Sequence, residues 1–334
     1  MKKQLLMIGL LALTTCACVK ENQCQTCKER KPVEVTVQIN GTSMTKTTGN
    51  TYANESKVNN LQILAFDANG EIEGYRSIDN ETSVTLMSTS GEKTVWAIVN
   101  APSLESVTTL DGLNSTLTSL EDNALNSFIM TGSVSEELTD GAVLAVTVRR
   151  MVARVSVAKI TAAFPDTPAY DGKTLTVKGI YMLNVAGSVN YALSGAPTEW
   201  YNKLNHEDDG VDSFLYDALD QTIANNSSYE VEHAYYPYPN SITTSVKDID
   251  ENNRGTWSTR RSILCIEVEF DGETGYYPIE MPVIERNKTY SIEEVVITRS
   301  PVETPYDPID TGVATVSITV QEWELGLNLG TVTI

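Results

Sequence analysis

Strict alternation of apolar and polar residues constrains this 334-residue chain more than any other feature. In Val33-Glu34-Val35-Thr36-Val37-Gln38-Ile39 the four branched apolar residues fall on every second position. Successive side chains of a strand point to opposite faces, so all four face one way, and the segment reads as a half-buried strand. Pro32 marks its start. The tail repeats the pattern: Ala314, Val316, Ile318 and Val320 alternate with Thr315, Ser317 and Thr319. Beyond Trp323, Leu325, Leu327 and Leu329 alternate, before the phase slips at Gly330 to Val332 and Ile334. Both ends of the chain thus carry strands able to fill the same kind of groove.

The body reads the same way. Strands are expected at 61–66, 83–87, 95–99, 143–160 (long, and so bent or split), 174–183, 262–270, 276–281 and 291–298. Asp67-Ala68-Asn69-Gly70 and Asp271-Gly272 supply turn chemistry, and the polar stretch 40–57 reads as a loop. The best helical candidate is 104–126, with Leu104, Leu110, Leu113, Leu117, Leu120 and Leu125. Residues 198–227 are polar and mixed, an insertion with room for a short helix. The expectation is an all-β chain with minor helix, about two sandwiches. Phe164-Pro165-Asp166-Thr167-Pro168 places a boundary near 161–172, and Pro301, Pro305 and Pro308 set off the tail.

Apolar residues make up 41% of the chain, enough for one large core or two ordinary ones. A formal net charge of -20 argues against nucleic acid as a partner, because phosphate contacts need Lys and Arg. Four of the five cysteines (Cys16, Cys18, Cys24, Cys27) fall in the first 27 residues. The body holds only Cys265, within the apolar run 262–266, so it cannot depend on an internal disulfide. With only His206 and His233, no imidazole-rich metal cluster can form, and no nucleophile elbow, phosphate loop or HExxH pair occurs. No catalytic residue, metal or cofactor is expected. Tyr235-Tyr236-Pro237-Tyr238-Pro239 is either a sugar- or partner-binding patch or proline-stiffened packing between domains.

Residues 1–18 form an export leader: Lys2 and Lys3, an apolar run from Leu5 to Leu13, then small residues ending in cysteine. The run is too short to span a membrane. The leader resembles a lipoprotein signal, with Cys18 as the lipidated thiol and Cys16 as the alternative. Several acyl chains anchor stably, at about 0.8 kcal/mol per buried methylene.

Four further segments carry a wider resemblance. They are Glu55-Ser56-Lys57-Val58-Asn59-Asn60-Leu61-Gln62-Ile63-Leu64-Ala65-Phe66, Val148-Arg149-Arg150-Met151-Val152-Ala153-Arg154-Val155, Arg286-Asn287-Lys288-Thr289-Tyr290, and the tail through Val320-Gln321-Glu322-Trp323. In order and spacing they resemble the fimbrillins, the type V pilins of the Bacteroides group with FimA-like and Mfa-like subunits. The resemblance implies two transthyretin-like β-sandwich domains in tandem. On that reading 1–18 is the signal, 19–46 a propeptide with the first strand, 47–162 and 163–310 the two sandwiches, and 311–334 the tail.

The resemblance also implies a mechanism. The subunit reaches the outer membrane as a lipoprotein, and a trypsin-like protease cuts it after a basic residue. Lipid and first strand (Val33, Val35, Val37, Ile39) leave together. The tail of another pilin subunit then fills the groove, giving a head-to-tail surface filament with anchor and tip subunits as further partners. Lys46 is the implied cut, and Arg30 the alternative, though a cut at Arg30 would leave the strand in place. The usual residue at the cut is arginine, so Lys46 departs from the pattern. Donor candidates are Val316, Ile318, Val320, Trp323, Leu325, Leu327, Leu329, Val332 and Ile334. The alternative readings are an anchor or accessory subunit that keeps its lipid, and a surface glycan-binding lipoprotein using Trp200 or Tyr235. A cut at Lys46 would leave 17 basic and 41 acidic residues, a net of -24. Adjacent subunits would then repel, so their join should rest on main-chain and apolar contacts.

Overall fold

A computed structural model describes residues 30–40, 54–203, 215–245, 257–305 and 314–323. The chain begins with β1 (Pro32–Asn40), β2 (Asn60–Phe66), β3 (Ile72–Asp79), β4 (Ser83–Thr89) and β5 (Gly91–Val99). Helix α1 (Leu110–Ser115), β6 (Leu117–Ser119) and a 3₁₀ turn (Leu120–Asp122) follow, then β7 (Met130–Leu138), β8 (Val143–Thr147) and β9 (Arg149–Arg150). Next come β10 (Arg154–Val157), β11 (Ile160–Ala162), β12 (Leu175–Leu183), β13 (Val185–Ala186), β14 (Ser188–Asn190) and β15 (Trp200–Tyr201). The rest is β16 (Tyr216–Ile223), β17 (Ser227–Tyr229), β18 (His233–Tyr235), β19 (Ile263–Phe270), β20 (Glu273–Glu280), β21 (Lys288–Ile297) and β22 (Ala314–Glu322). The described chain is nearly all β, with one short helix.

Two pairs of sheets are built from these strands. In the first, a three-stranded sheet β4-β1-β8 packs on a five-stranded sheet β3-β2-β5-β7-β9. Strand β1 lies in the middle of its sheet, antiparallel to β4 and parallel to β8. Its four alternate side chains meet Leu61, Ile63 and Ala65 of β2 and Val95, Ala97 and Val99 of β5 in one apolar cluster. Strand β2 is buried on both faces, which is why it reads as a continuous apolar run and not as alternation. Its Leu64 and Phe66 face the other way, into a larger core shared with the 101–129 segment and the second pair of sheets.

The second pair is organised around β21. Strands β10 and β11 both run parallel to it, as one interrupted strand, and β18 and β17 pair antiparallel with them. Strand β22 lies antiparallel on the other side of β21. The facing sheet has the order β16-β12-β19-β20. Val155, Val157, Ile292 and Val295 from the first of these sheets share a core with Val177, Ile180, Leu264 and Ile266 from the second.

Several expectations change. The 143–160 run is split as anticipated, and the chain crosses between the two pairs of sheets through the buried residues Met151, Val152 and Ala153. Because β10 and β11 pair with β21, the hand-over falls there and not at 162/163. The helix expected over 104–126 shrinks to α1. Leu104, Leu113 and Leu120 are buried but Leu117 and Leu125 are exposed, so the leucines share no helical face. Thr109 and Ser119 instead cap short turns, and Leu117–Ser119 is drawn into pairing with Ser188–Asn190. The described part of the polar 198–227 stretch contains β15 and β16, the latter an outer strand beside β12, while 204–214 lies outside the described residues. The unforeseen strands β3 and β7 are rich in charged and small residues, and pairing with β2 and β5 imposes their conformation.

Candidate assembly site

Strand β1 is the middle strand of its sheet, and residues 41–59 separate it from β2. Seven of its residues register with β4 and five with β8, so its loss would leave both neighbours unpaired along that side. Val33, Val35, Val37 and Ile39 are all buried. At about 1.5–3 kcal/mol each, they contribute roughly 6–12 kcal/mol of transfer free energy, an upper figure.

The start of β1 is pinned electrostatically. Arg30 lies 3.0 Å from the carboxylate of Asp67 and also donates to Glu73. Glu73 accepts in addition from Thr89 Oγ1 and pairs with buried Lys93 at 2.9 Å. Burial pulls both carboxyls upward. The backbone N–H groups of Glu71 and Asn69 and the Arg30 guanidinium outweigh it at Asp67, and Thr89, Lys93 and Arg30 outweigh it at Glu73. Both end below the usual carboxylate range. Across the same corner the Ser90 N–H donates to Lys31 O, and the Lys31 N–H donates to Ser90 Oγ.

The root of the tail is held more deeply. Trp323 is 4% exposed and wedges between the two pairs of sheets. Its indole N–H donates to Glu55 Oε2 at 3.0 Å, its ring stacks on Tyr236 and meets Phe128 edge-on, and its backbone N–H donates to Asn287 O. The Arg150 guanidinium lies 4.1 Å from the ring centroid. Arg150 also donates to the carbonyls of Glu55 and Trp323 and to Ser56 Oγ. Burial pushes the Arg150 guanidinium down to about 10. The Glu55 carboxylate opposes that, and also accepts from Tyr236 Oη and pairs with Arg154 at 3.4 Å. This hub joins the first residues after the 41–53 segment to the last before 324. Sequence reasoning missed it. Its only signal is a set of chemically unexplained residues: Glu55 in the stretch read as a loop, Arg150 within the 143–160 run, and Trp323 after the tail's alternation.

The other candidates divide clearly. Cys16, Cys18, Lys46, Leu325, Leu327, Leu329, Val332 and Ile334 lie outside the described residues. Val316, Ile318 and Val320 belong to β22, already paired with β21, and Trp323 lies in the hub. The aromatic patch is packing: Tyr235 and Tyr238 are buried, and Tyr238 Oη donates to Ser119 O and accepts from Asn123. Trp200 is buried against Trp257. Neither Trp200 nor Tyr235 is free to stack on a sugar, which removes the support for the glycan-binding reading. Cys265 is buried, and burial pushes its thiol up to about 12.

Comparison with known proteins bears on this arrangement directly. Residues 32–177, from β1 into β12, match the family model described as major fimbrial subunit protein (FimA). No curated protein matches the chain by sequence. The fold is similar to that of the fimbrilin FimA from Porphyromonas gingivalis W83, with a TM-score of 0.65 at 16% identity, covering 89% of this chain and 99% of that one. A protein of Parabacteroides distasonis ATCC 8503, described as a cell adhesion protein, gives a TM-score of 0.66 at 15% identity over 88% and 100%. The tip fimbrial protein Mfa3 of Porphyromonas gingivalis, with its C-terminus truncated, gives 0.56 at 12% identity over 88% and 100%. Identities this low speak for the fold, while the family match speaks for kinship. Residues 32–177 thus match the major fimbrial subunit (FimA) family, and the fold of the chain is that of the fimbrillins.

Proposed function

We propose that this subunit is exported as a lipoprotein, matured by proteolysis and joined head to tail by strand exchange into an adhesive filament. Cys18 carries the lipid, with Cys16 as the alternative, and tethers the precursor to the outer membrane. A trypsin-like protease cuts after Lys46, within the 41–53 segment, and lipid and β1 depart together. The tail of the next subunit then lies between β4 and β8. Two transthyretin-like sandwiches in tandem, meeting at 151–153, form the body. The observation that carries this reading is the place of β1: the middle strand of three, with four buried side chains, separated from β2 by residues 41–59.

The donor is 324–334. Strand β22 already satisfies the edge of β21, and Trp323 fills the hub, so detaching either would expose apolar surface and unpair backbone groups. The alternation Leu325, Leu327, Leu329 matches the spacing of Val33, Val35 and Val37. Arg30 makes a poor competing site, because Asp67 and Glu73 engage the side chain that a trypsin-like protease must bind.

Protease treatment of the purified precursor, read by mass spectrometry and electron microscopy, tests this. A new N-terminus at Thr47 with filaments supports it. Assembled material that retains residues 33–39 sinks it and favours an anchor subunit that keeps lipid and β1. A chain ending at Trp323 should fold and fail to polymerise; filaments from it would exclude 324–334 as the donor.

A further inference from the structure

The first pair of sheets leaves a strand edge bare. Among the described residues β8 pairs only with β1, and β22 only with β21, so each has a long edge without a strand partner. Exposed edges invite pairing, and proteins blunt them with charge, proline or brevity. The other outer strands follow that rule. Strand β3 carries Glu73, Arg76 and Asp79; β16 carries Asp217 and Asp220; β20 carries Glu273, Pro278 and Glu280; β17 and β18 are three residues each. Strand β4 turns its far edge toward β3, where a Cβ on Gly74 would lie 2.8 Å from Met87 O. Only β8 and β22 break the rule. Strand β8 reads Val-Leu-Ala-Val-Thr, and β22 has no charge from Ala314 through Gln321. Val143 at 65% and Val320 at 45% exposure are among the few large apolar side chains in the open.

The second pair of sheets indicates what such an edge accepts. Strands β8 and β21 are equivalent: each runs parallel to a central strand, β1 or β10–β11, whose other side is flanked by antiparallel strands. Strand β21 bears β22 on its outer edge, and β8 bears nothing. We infer that the bare edge of β8 takes the bare edge of β22 from a second copy, so that the sheet of one subunit runs on into the sheet of the next. This rests on the filament reading in taking a second copy as partner. The contact joins unlike surfaces and does not close on itself, so it propagates. Its main-chain hydrogen bonds need no charge, which suits cut subunits with 17 basic and 41 acidic residues, a net of -24.

The test uses a photo-crosslinking amino acid in place of exposed Ala145, in full-length chains labelled with two isotopes and mixed before and after protease treatment. The expected product joins position 145 of one chain to the 314–322 peptide of the other, at least tenfold more abundant in filaments than in uncut chains. A link only within one chain, or to another segment, overturns the inference. Ala145→Lys and Thr319→Lys should each slow filament growth about tenfold while leaving the monomer's melting temperature unchanged. Wild-type growth by both variants also overturns it, as does slowing by Ala145→Lys alone. Because the crosslink is scored in uncut and cut chains alike, a failure to cut at Lys46 or to form filaments counts against strand exchange, whereas missing 145-to-314–322 product counts against this edge contact.

Discussion

The two halves of the molecule build one sheet in the same way and finish it differently. In the first, β1 lies between β4 and β8; in the second, β10–β11 lies between β17–β18 and β21. The central strand of the second half runs straight on from β9 through buried residues, and its neighbour β21 carries β22 as a further strand. The central strand of the first half is separated from β2 by residues 41–59, and its neighbour β8 carries no further strand among the described residues. The difference is one of connection and not of packing, since Val37 and Val155 are equally buried.

Removal of β1 should sharpen that contrast most. A chain starting at Thr47 stands to lose up to about 6–12 kcal/mol in the first half, comparable to the whole stability of a domain. Hydrogen exchange should show β4 and β8 amides unprotected while β12 and β19 stay protected, and a peptide of residues 30–40 should restore them. Next comes the hub: Trp323→Ala should cost about 3–5 kcal/mol in denaturant unfolding, because it empties a buried site and strands Glu55 and Arg150. Trp323→Phe, which keeps an aromatic ring but loses the N–H to Glu55 and part of the indole's volume, should cost about 1–3 kcal/mol.

Smaller effects probe connection against packing. Val37→Ala and Val155→Ala should each cost about 2 kcal/mol in the intact precursor, two methyl groups plus a cavity. After cutting, filaments should be indifferent to Val37→Ala and still weakened by Val155→Ala; equal sensitivity would mean β1 had stayed. Asp67 and Glu73 are held below their ordinary range, so what they add to stability is present above about pH 4 and is lost as pH falls through their folded values. Amides at the start of β1 should therefore exchange faster in acid before those of β10 do. The smallest change is Glu73→Gln, which should raise trypsin cleavage after Arg30 several-fold by mass spectrometry, with no change in overall folding.

Much of this was legible because period-two alternation reports burial directly. Segment 33–39 predicts β1, and the runs at 61–66, 174–183 and 262–270 predict strands; β2, β12 and β19 are largely covered on both faces. Where the signal is weak, neighbours decide. Strand β7, with Gly132, Ser133, Ser135, Glu136 and Glu137, is held by its register with β5. Gly132 is required there because a Cβ would lie 2.0 Å from Thr147 O. The leucines of 104–126 misled because their spacing reflects three separate turns meeting one core.

The amino-acid order by itself determined the class of fold, the likeness of the two ends and the absence of a disulfide framework, since each depends on local periodicity or on composition. Only the tertiary structure decided that β1 is the middle strand, that Arg30 is engaged, that Glu55, Arg150 and Trp323 meet, and which edges are bare. Those are pairings between residues tens to hundreds of positions apart. Strand patterns alone carry no partner, because any alternating strand presents the same backbone groups to any other.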